Sequence, residues 1–214
     1  MKFESLSIGN LSATYAASED ALLVLAHGAG AGHDHPHMTA IAKALQHVGI
    51  GTLRYNFPFI EAGKRRVDTP SVCIATIAEA LATAERLAGN VPLLIGGHSF
   101  GGRMSTHFAA ERDADVAGVI CFSFPLHPPK KPAVERAAHL PAIKTPQLFL
   151  SGDRDALAKP DLLRATLTPL PRATLHWLET ADHSFKILKS TRKSSEDIYD
   201  EAGRVTSKWI RSAC

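Results

Sequence analysis

The chain has 214 residues, 45% hydrophobic and 21% charged, which suits a globular protein with one sizeable core. A formal net charge of +3 is too weak to indicate binding to nucleic acid. Three widely spaced cysteines imply no disulfide framework, and the longest apolar run, residues 21–26, is too short to span a membrane. The N-terminus also lacks the apolar core of a signal peptide. We therefore expect one domain over residues 1–214, located in the cytoplasm and not associated with a membrane.

Strand and helix signals alternate along the chain after an opening β-hairpin. In the first half of the chain, the patterns predict a hairpin over residues 3–15, a strand over 21–26, a helix from Pro36, a strand over 51–55, a polar loop over 56–70 and a helix over 74–87. A strand from Val91 and a helix through Phe108 follow. The second half is predicted to contain a strand over 118–122, a proline-rich connection over 125–146, a strand over 147–151, a helix from Pro160, a strand over 173–178 and a helix through Trp209. This alternation predicts an α/β fold, with a mostly parallel central sheet flanked by helices on both faces.

The segment from Val91 to Met104 carries the strongest chemical signal. A short apolar run ends in Gly-His-Ser-Phe-Gly at residues 97–101, and helical spacing follows. A G-x-S-x-G pattern between a strand and a helix is typical of a nucleophile elbow, where the serine occupies a sharp, strained turn. Side chains two positions before or after Ser99 would clash, so the glycines leave room. We predict that Ser99 is a nucleophile exposed at a helix N-terminus.

Two later segments supply the partners that a serine nucleophile needs. Asp155 follows an apolar strand and the turn at Gly152, and His183 lies in the loop after the last strand. In this order, the imidazole would take the serine proton and the carboxylate would fix its tautomer. Asp153 and Asp182 are rival acids. Asp155 is favoured because the Gly152 turn would aim the later carboxylate inward, whereas Asp182 adjoins His183 too closely to meet its far ring nitrogen.

The glycine-rich loop after the third strand, residues 27–32, predicts an oxyanion hole. The backbone N–H groups of Ala29 and Phe100 would bind the negatively charged oxygen. A nucleotide-phosphate loop is the alternative, but its third glycine is not correctly spaced and no acidic residue ends the next strand. The histidine-rich residues 33–37 offer a metal cluster, although metal sites usually draw ligands from more than one element. We expect neither a metal nor a cofactor.

Four motifs together resemble one group of α/β-hydrolases. They are residues 25–32, 54–58, 96–103 and 124–129. The group contains small, mostly uncharacterised bacterial hydrolases akin to dienelactone hydrolase, a mammalian testis-expressed hydrolase-like protein and a subunit of the non-specific lethal chromatin complex. The resemblance implies the α/β-hydrolase fold and a serine-hydrolase site at Ser99, Asp155 and His183. Dienelactone hydrolase itself has a cysteine where this chain has Ser99, so lactone hydrolysis does not carry over.

The connection between the sixth and seventh strands, residues 123–146, decides what kind of pocket to expect. It is too short for a cap domain with its own core, so we expect an open, shallow pocket. We predict that Phe57, Phe124 and His127 bind substrate at the rim of this pocket, beside Phe59 and Leu126.

Two groups of basic residues raise the question of whether the substrate carries a negative charge. Lys64, Arg65 and Arg66 follow the end of a strand, and Lys130 and Lys131 lie in the proline-rich connection. Each group either recognises an anionic substrate group or forms a solvated basic face. The sequence favours the solvated face.

These signals predict a serine hydrolase, monomeric or homodimeric, that cleaves a small ester, thioester or related acyl compound through an acyl-enzyme on Ser99. Two alternatives stay open. The first is a peptidase on the same fold, which the missing cap domain disfavours. The second is an interaction module that has kept the fold and lost turnover. The presence of Ser99, Asp155 and His183 disfavours it, because a scaffold does not need all three.

Overall fold

Eight strands form one sheet in the order β1-β2-β4-β3-β5-β6-β7-β8. The structure is a computed structural model and describes residues 2–213. The strands are β1 (Glu4–Ile8), β2 (Leu11–Ala16), β3 (Ala21–Ala26), β4 (Ile50–Tyr55), β5 (Leu93–His98), β6 (Gly118–Phe122), β7 (Gln147–Gly152) and β8 (Ala173–Leu178). The helices are α1 (Pro36–His47), α2 (Pro58–Glu61), α3 (Pro70–Ala88), α4 (Phe100–Glu111), α5 (Pro160–Leu167) and α6 (Ile198–Ala213).

The sheet is parallel except at the opening hairpin. β2 pairs antiparallel with both β1 and β4, and all other neighbouring strands pair in parallel. The predicted mostly parallel sheet is therefore confirmed. Because parallel strands end at the same edge of a sheet, the loops after β3, β5, β7 and β8 come together there.

Two apolar cores lie on opposite faces of the sheet. Along β3, Leu22 and Val24 join the core covered by α3, α4 and α5, while Leu23 and Leu25 join the core covered by α1 and α6. Both faces are buried, which explains why the central strands are continuous apolar runs. The sheet is thus fixed from both sides, and the loops at its edge are held on a rigid base.

The connection between β6 and β7 builds no cap domain within the described residues. It contains two short 3-10 helices, Glu135–Ala137 and Leu140–Ala142, as expected from its length. The predicted polar loop over residues 56–70 is partly wrong, because α2 forms inside it. Pro58 occupies the first turn of α2, where its fixed φ favours a helix and no N–H is needed. Among residues 2–213, no helix combines the length and the apolar composition that a membrane span requires.

Candidate active site

Ser99 occupies the sharp turn between β5 and α4, as the glycine pattern predicts. Its backbone has φ 52° and ψ −115°, which is costly for a residue with a side chain. A Cβ on Gly97 would lie 2.4 Å from the carbonyl oxygen of Ala26, and one on Gly101 would lie 2.5 Å from the same atom. Only glycine allows these close backbone approaches, which hold the end of β5 and the start of α4 against the end of β3.

His183 and Asp155 join Ser99 in one chain of hydrogen bonds. The Oγ atom of Ser99 lies 2.7 Å from Nε2 of His183, and Nδ1 of His183 lies 2.8 Å from Oδ2 of Asp155. Asp155 is buried, and its Oδ1 accepts the backbone N–H of Leu157 at 2.7 Å. An ionised carboxylate only accepts, so Nδ1 of His183 carries the proton and Nε2 is left to accept from Ser99.

The two rival carboxylates lie elsewhere. Asp153 is exposed and lies two residues before the buried Asp155. Oδ1 of Asp182 accepts the backbone N–H groups of Ser184 at 2.8 Å and Lys186 at 3.0 Å, so it shapes the turn that carries His183. The structure therefore brings Asp155, and neither rival, to the histidine ring.

His27 fixes the start of the loop that contains Ala29. Its Nδ1–H donates to the carbonyl of Gly28 at 2.7 Å, and its Nε2 accepts the backbone N–H of Phe57 at 2.9 Å. Both contacts require the neutral ring, and burial lowers the pKa of His27 to about 4. Phe100 is the first residue of α4, so its N–H has no acceptor within that helix.

A surface cleft of about 390 Å³ opens at these groups. Its walls come from the loop after β3, the start of α1, the elbow and the loops after β7 and β8. The lining residues are Gly28, Ala29, Gly30, Ala31, His35, His37, Met38, His98, Ser99, Leu157, His183 and Ser184. Ala29 and Ser99 thus line the same cleft.

A family model for the alpha/beta hydrolase domain matches residues 19–211. The chain belongs to the alpha/beta hydrolase family. Among solved structures, the esterase domain of a Rhodothermus marinus protein covers 99% of this chain and 99% of its own, with 17% identity and a TM-score of 0.73. Dienelactone hydrolase from Anabaena variabilis is 20% identical over 99% of this chain and 97% of its own, with a TM-score of 0.71.

A serine hydrolase without lid from Xanthomonas campestris is similar as well. It is 18% identical, covers 99% of this chain and 95% of its own, and has a TM-score of 0.74. At such low identity these likenesses show a common fold. The alpha/beta hydrolase assignment agrees with the strand order and with the connection that builds no cap domain.

The prediction that Phe57, Phe124 and His127 bind substrate at the rim of the pocket is wrong for this alpha/beta hydrolase. Phe57, Phe124 and His127 are 0%, 1% and 3% exposed, and none lines the cleft at Ser99. Phe59 and Leu126 are buried as well. These side chains point into the core, because burying their apolar surface there stabilises the fold more than leaving it exposed at a pocket edge would.

His127 has a structural place instead of a substrate-binding one. Its Nδ1–H donates to the carbonyl of Pro128 at 2.9 Å, and its Nε2 accepts the backbone N–H of Lys159 at 3.0 Å. The ring therefore ties the connection after β6 to the start of α5. The basic loop of Lys64, Arg65 and Arg66 is exposed and does not line the cleft, which agrees with a solvated basic face.

The sequence did not predict that His98 and His37 lie in contact beside Ser99. Nε2–H of His98 donates to the backbone carbonyl of His183 at 2.9 Å, and the ring of His98 meets that of His37 edge-on, with centroids 4.4 Å apart. Nδ1 of His37 lies 2.9 Å from the hydroxyl of Tyr199 on α6. Desolvation lowers the pKa of His98 to about 3 and that of His37 to about 4, so both rings are neutral at neutral pH. The position of His98 inside the elbow motif was the available signal.

The histidine-rich residues 33–37 divide among separate tasks. Nδ1 of His33 lies 3.0 Å from the side-chain oxygen of Asn56, and Nδ1 of His35 accepts the backbone N–H of His37 at 3.2 Å as a cap of α1. Among residues 2–213, no group of three or more histidine, cysteine or acidic side chains is arranged to hold a metal ion.

Proposed function

We propose that this protein is a serine hydrolase that cleaves a small ester, thioester or related acyl compound. One observation carries the proposal, the hydrogen-bonded chain from Ser99 through His183 to Asp155 at 2.7 and 2.8 Å. Ser99 is the nucleophile, His183 the general base and then acid, and Asp155 the group that orients the imidazole.

In the first half of the reaction, Oγ of Ser99 attacks the acyl carbonyl carbon and gives its proton to Nε2 of His183. The carbonyl electrons move onto the oxygen, which the N–H groups of Phe100 and Ala29 stabilise. When the tetrahedral intermediate collapses, the alcohol or thiol leaves with the proton from His183. Asp155 stabilises the imidazolium that exists between the two proton transfers.

In the second half, water attacks the acyl ester on Ser99 and gives a proton to His183. Collapse of the second tetrahedral intermediate releases the carboxylic acid and returns the proton to Ser99. No step needs a metal or a cofactor, so the proposal includes neither.

The biological setting is part of the proposal. Cys73 and Cys121 are buried free thiols, which supports a reducing cytoplasmic compartment. A small acyl compound as the partner, a monomeric or homodimeric state, and membership of the group that contains the testis-expressed protein and the chromatin-complex subunit all stay predictions.

Reaction with a fluorophosphonate, read by intact mass, tests the proposal. We expect the wild type to gain one phosphonyl group and Ser99→Ala to gain none, with esterase turnover reduced by about four orders of magnitude or more. Ser184→Ala is the matched control, because Ser184 lines the same cleft and has no part in the proposed chemistry. A folded wild type that stays unlabelled would favour the interaction module, and a labelled Ser99→Ala variant would move the nucleophile elsewhere.

A further inference from the structure

Four basic side chains form a patch outside the cleft, and we name Arg103, His107, Arg136 and His139 the basic patch. Arg103 and His107 are one turn apart on α4, while Arg136 and His139 lie on the connection between β6 and β7. The rings of His107 and His139 stack with centroids 3.6 Å apart and planes 14° apart. All four side chains are half-buried, and none lines the cleft at Ser99.

Arg103 lacks the partners that a half-buried guanidinium needs. Within the part of the chain that the structure describes, its side chain forms no hydrogen bond or ion pair, and its Nε is enclosed without an acceptor. Burial lowers the pKa of Arg103, and the positive charge of Arg136 lowers it further. Of the five N–H donors of this arginine, the Nε–H is the one enclosed without a partner, which is costly, while the Nη groups belong to a side chain that is only half-buried. The position therefore lacks an acceptor with negative charge.

The surroundings of Arg103 do not supply that charge. Arg136 donates to the backbone carbonyl of Pro125 at 3.3 Å, and among residues 2–213 it forms no ion pair. Nε2 of His107 is enclosed and has no hydrogen-bond partner. Glu111 lies close enough to raise the pKa of His107, but burial and Arg103 outweigh it, so that pKa is lowered. Burial lowers the pKa of His139 to about 4 as well, so the excess positive charge of the patch is that of its two arginines.

We propose that the basic patch binds a phosphate group, either free inorganic phosphate or a phosphomonoester. The two guanidinium groups match the two negative charges of such an ion, and the planar donors of arginine bind its oxygens in pairs. This site does not depend on the proposed hydrolase activity. Because it lies outside the cleft, phosphate is expected to bind without competing with an ester substrate.

Isothermal titration calorimetry with inorganic phosphate and with phenyl phosphate, at constant ionic strength, tests the site. We expect both probes to bind the wild type and Arg103→Gln to weaken both by about tenfold or more, since a charge-assisted paired contact is lost. Tighter binding of phenyl phosphate would identify a phosphomonoester as the natural source, and tighter binding of phosphate would identify the free ion. Arg65→Gln is the control, because it removes the same charge from the exposed basic loop.

The unliganded variant gives a second readout. If Arg103 awaits an anion, Arg103→Gln without phosphate should melt at the wild-type temperature or higher, because an unpaired, half-buried cation is removed. A wild type that binds neither probe, equal binding by the wild type and Arg103→Gln, or loss of binding in Arg65→Gln alone would overturn the proposal. A lower melting temperature of unliganded Arg103→Gln would assign Arg103 a structural role instead.

Discussion

The contacts of single residues decide the chemistry at Ser99. Its strained backbone, with φ 52°, costs about 1–3 kcal/mol and persists because the backbones around Gly97 and Gly101 touch the end of β3. Ser99 is therefore held by the sheet itself. Asp155 and His183, by contrast, are linked by a side-chain hydrogen bond, which a substitution can change without altering the turn at Ser99.

Asp155→Asn is expected to lower kcat by about four orders of magnitude, with the fold intact. The asparagine amide would donate to Nδ1 of His183 and force the proton onto Nε2, which then no longer accepts from Ser99. Ester turnover and a thermal melt measure the two effects. Asp153→Asn is the control, since that carboxylate is exposed and away from the ring. A severe loss in Asp153→Asn with normal turnover in Asp155→Asn would reverse the assignment.

His98→Leu is expected to lower kcat about tenfold with little change in KM. The variant loses the 2.9 Å hydrogen bond to the backbone carbonyl of His183, which contributes about 1 kcal/mol, while the cleft keeps its shape. His98→Gln retains a side-chain N–H and should recover most of the rate. Equal losses in both variants would mean that the imidazole acts through packing and not through its donor.

His27 predicts a loss of stability in acid. Its pKa is about 4 in the native state and ordinarily 6.5, so between these values the unfolded chain takes up a proton that the native chain does not. The contribution of His27 to stability is then complete above about pH 6.5 and falls by roughly 3 kcal/mol as the pH drops to about 4. His37 and His98, whose pKa values are lowered in the same way, add their own losses in this range, so the difference between the wild type and a His27 variant isolates the share of His27. Urea unfolding at about pH 7.5 and about pH 5 measures the loss. His27→Gln should be less stable near neutral pH but lose less on acidification, and an unchanged loss would contradict this account.

At the scale of elements, the long segment between β8 and α6 carries His183 and is anchored by a buried ion pair. Arg192 pairs with Glu201 on α6 and donates to the backbone carbonyl of Glu179 at 2.9 Å. His176 on β8 lies 2.9 Å from the same carboxylate of Glu201. The segment is thus tied to the sheet and to α6 on either side of the histidine.

Arg192→Met is expected to destabilise the fold by about 3–5 kcal/mol, because Glu201 is left as a buried charge with one partner fewer. We also expect kcat to fall, although Arg192 does not line the cleft, since the segment that holds His183 loosens. Arg204→Met removes an exposed pair with Glu196 and should cost less than about 1 kcal/mol. Similar losses of stability in the two variants would argue against the anchoring role.

At the scale of the whole molecule, the small open cleft at Ser99 is expected to favour small substrates. The cleft of about 390 Å³ has apolar walls that include Met38 and Leu157. The far end of a long acyl chain would extend beyond these walls and remain exposed to water. Each methylene left exposed forfeits roughly 0.8 kcal/mol. On a p-nitrophenyl ester series, kcat/KM should peak at acyl chains of about two to four carbons and then fall. A rate that climbs steadily with chain length would contradict the short cleft.

The sequence predicted the parts of the site that depend on local pattern, and the reasons are physical. The elbow needs glycines two positions from Ser99, and the Gly152 turn aims Asp155 inward, so both signals lie within a few residues. The cleft walls were not predictable in this way. An aromatic residue after a strand, such as Phe57, has the same pattern whether it faces the core or solvent, and α2 decides the direction.

Pairings between distant loops were also hidden from the sequence. The contact of His98 with His37, and of His37 with Tyr199, depends on how the end of β5 and the starts of α1 and α6 come together. The same holds for Arg103 and Arg136, which lie on different elements. Sequence spacing therefore pointed to the candidate site residues, whereas their contacts with distant residues became visible only in the tertiary structure.

The connection that builds no cap domain also bears on the fate of an acyl-enzyme. Residues 123–146 form two short 3-10 helices and no cap domain, so in the proposed acyl-enzyme bulk water would reach the ester on Ser99 as readily as any alcohol or amine. Water is by far the most concentrated acceptor, so acyl transfer to another molecule would lose the competition. An inserted segment that shielded Ser99 from water would be expected to shift this competition toward transfer of the acyl group to an alcohol or amine.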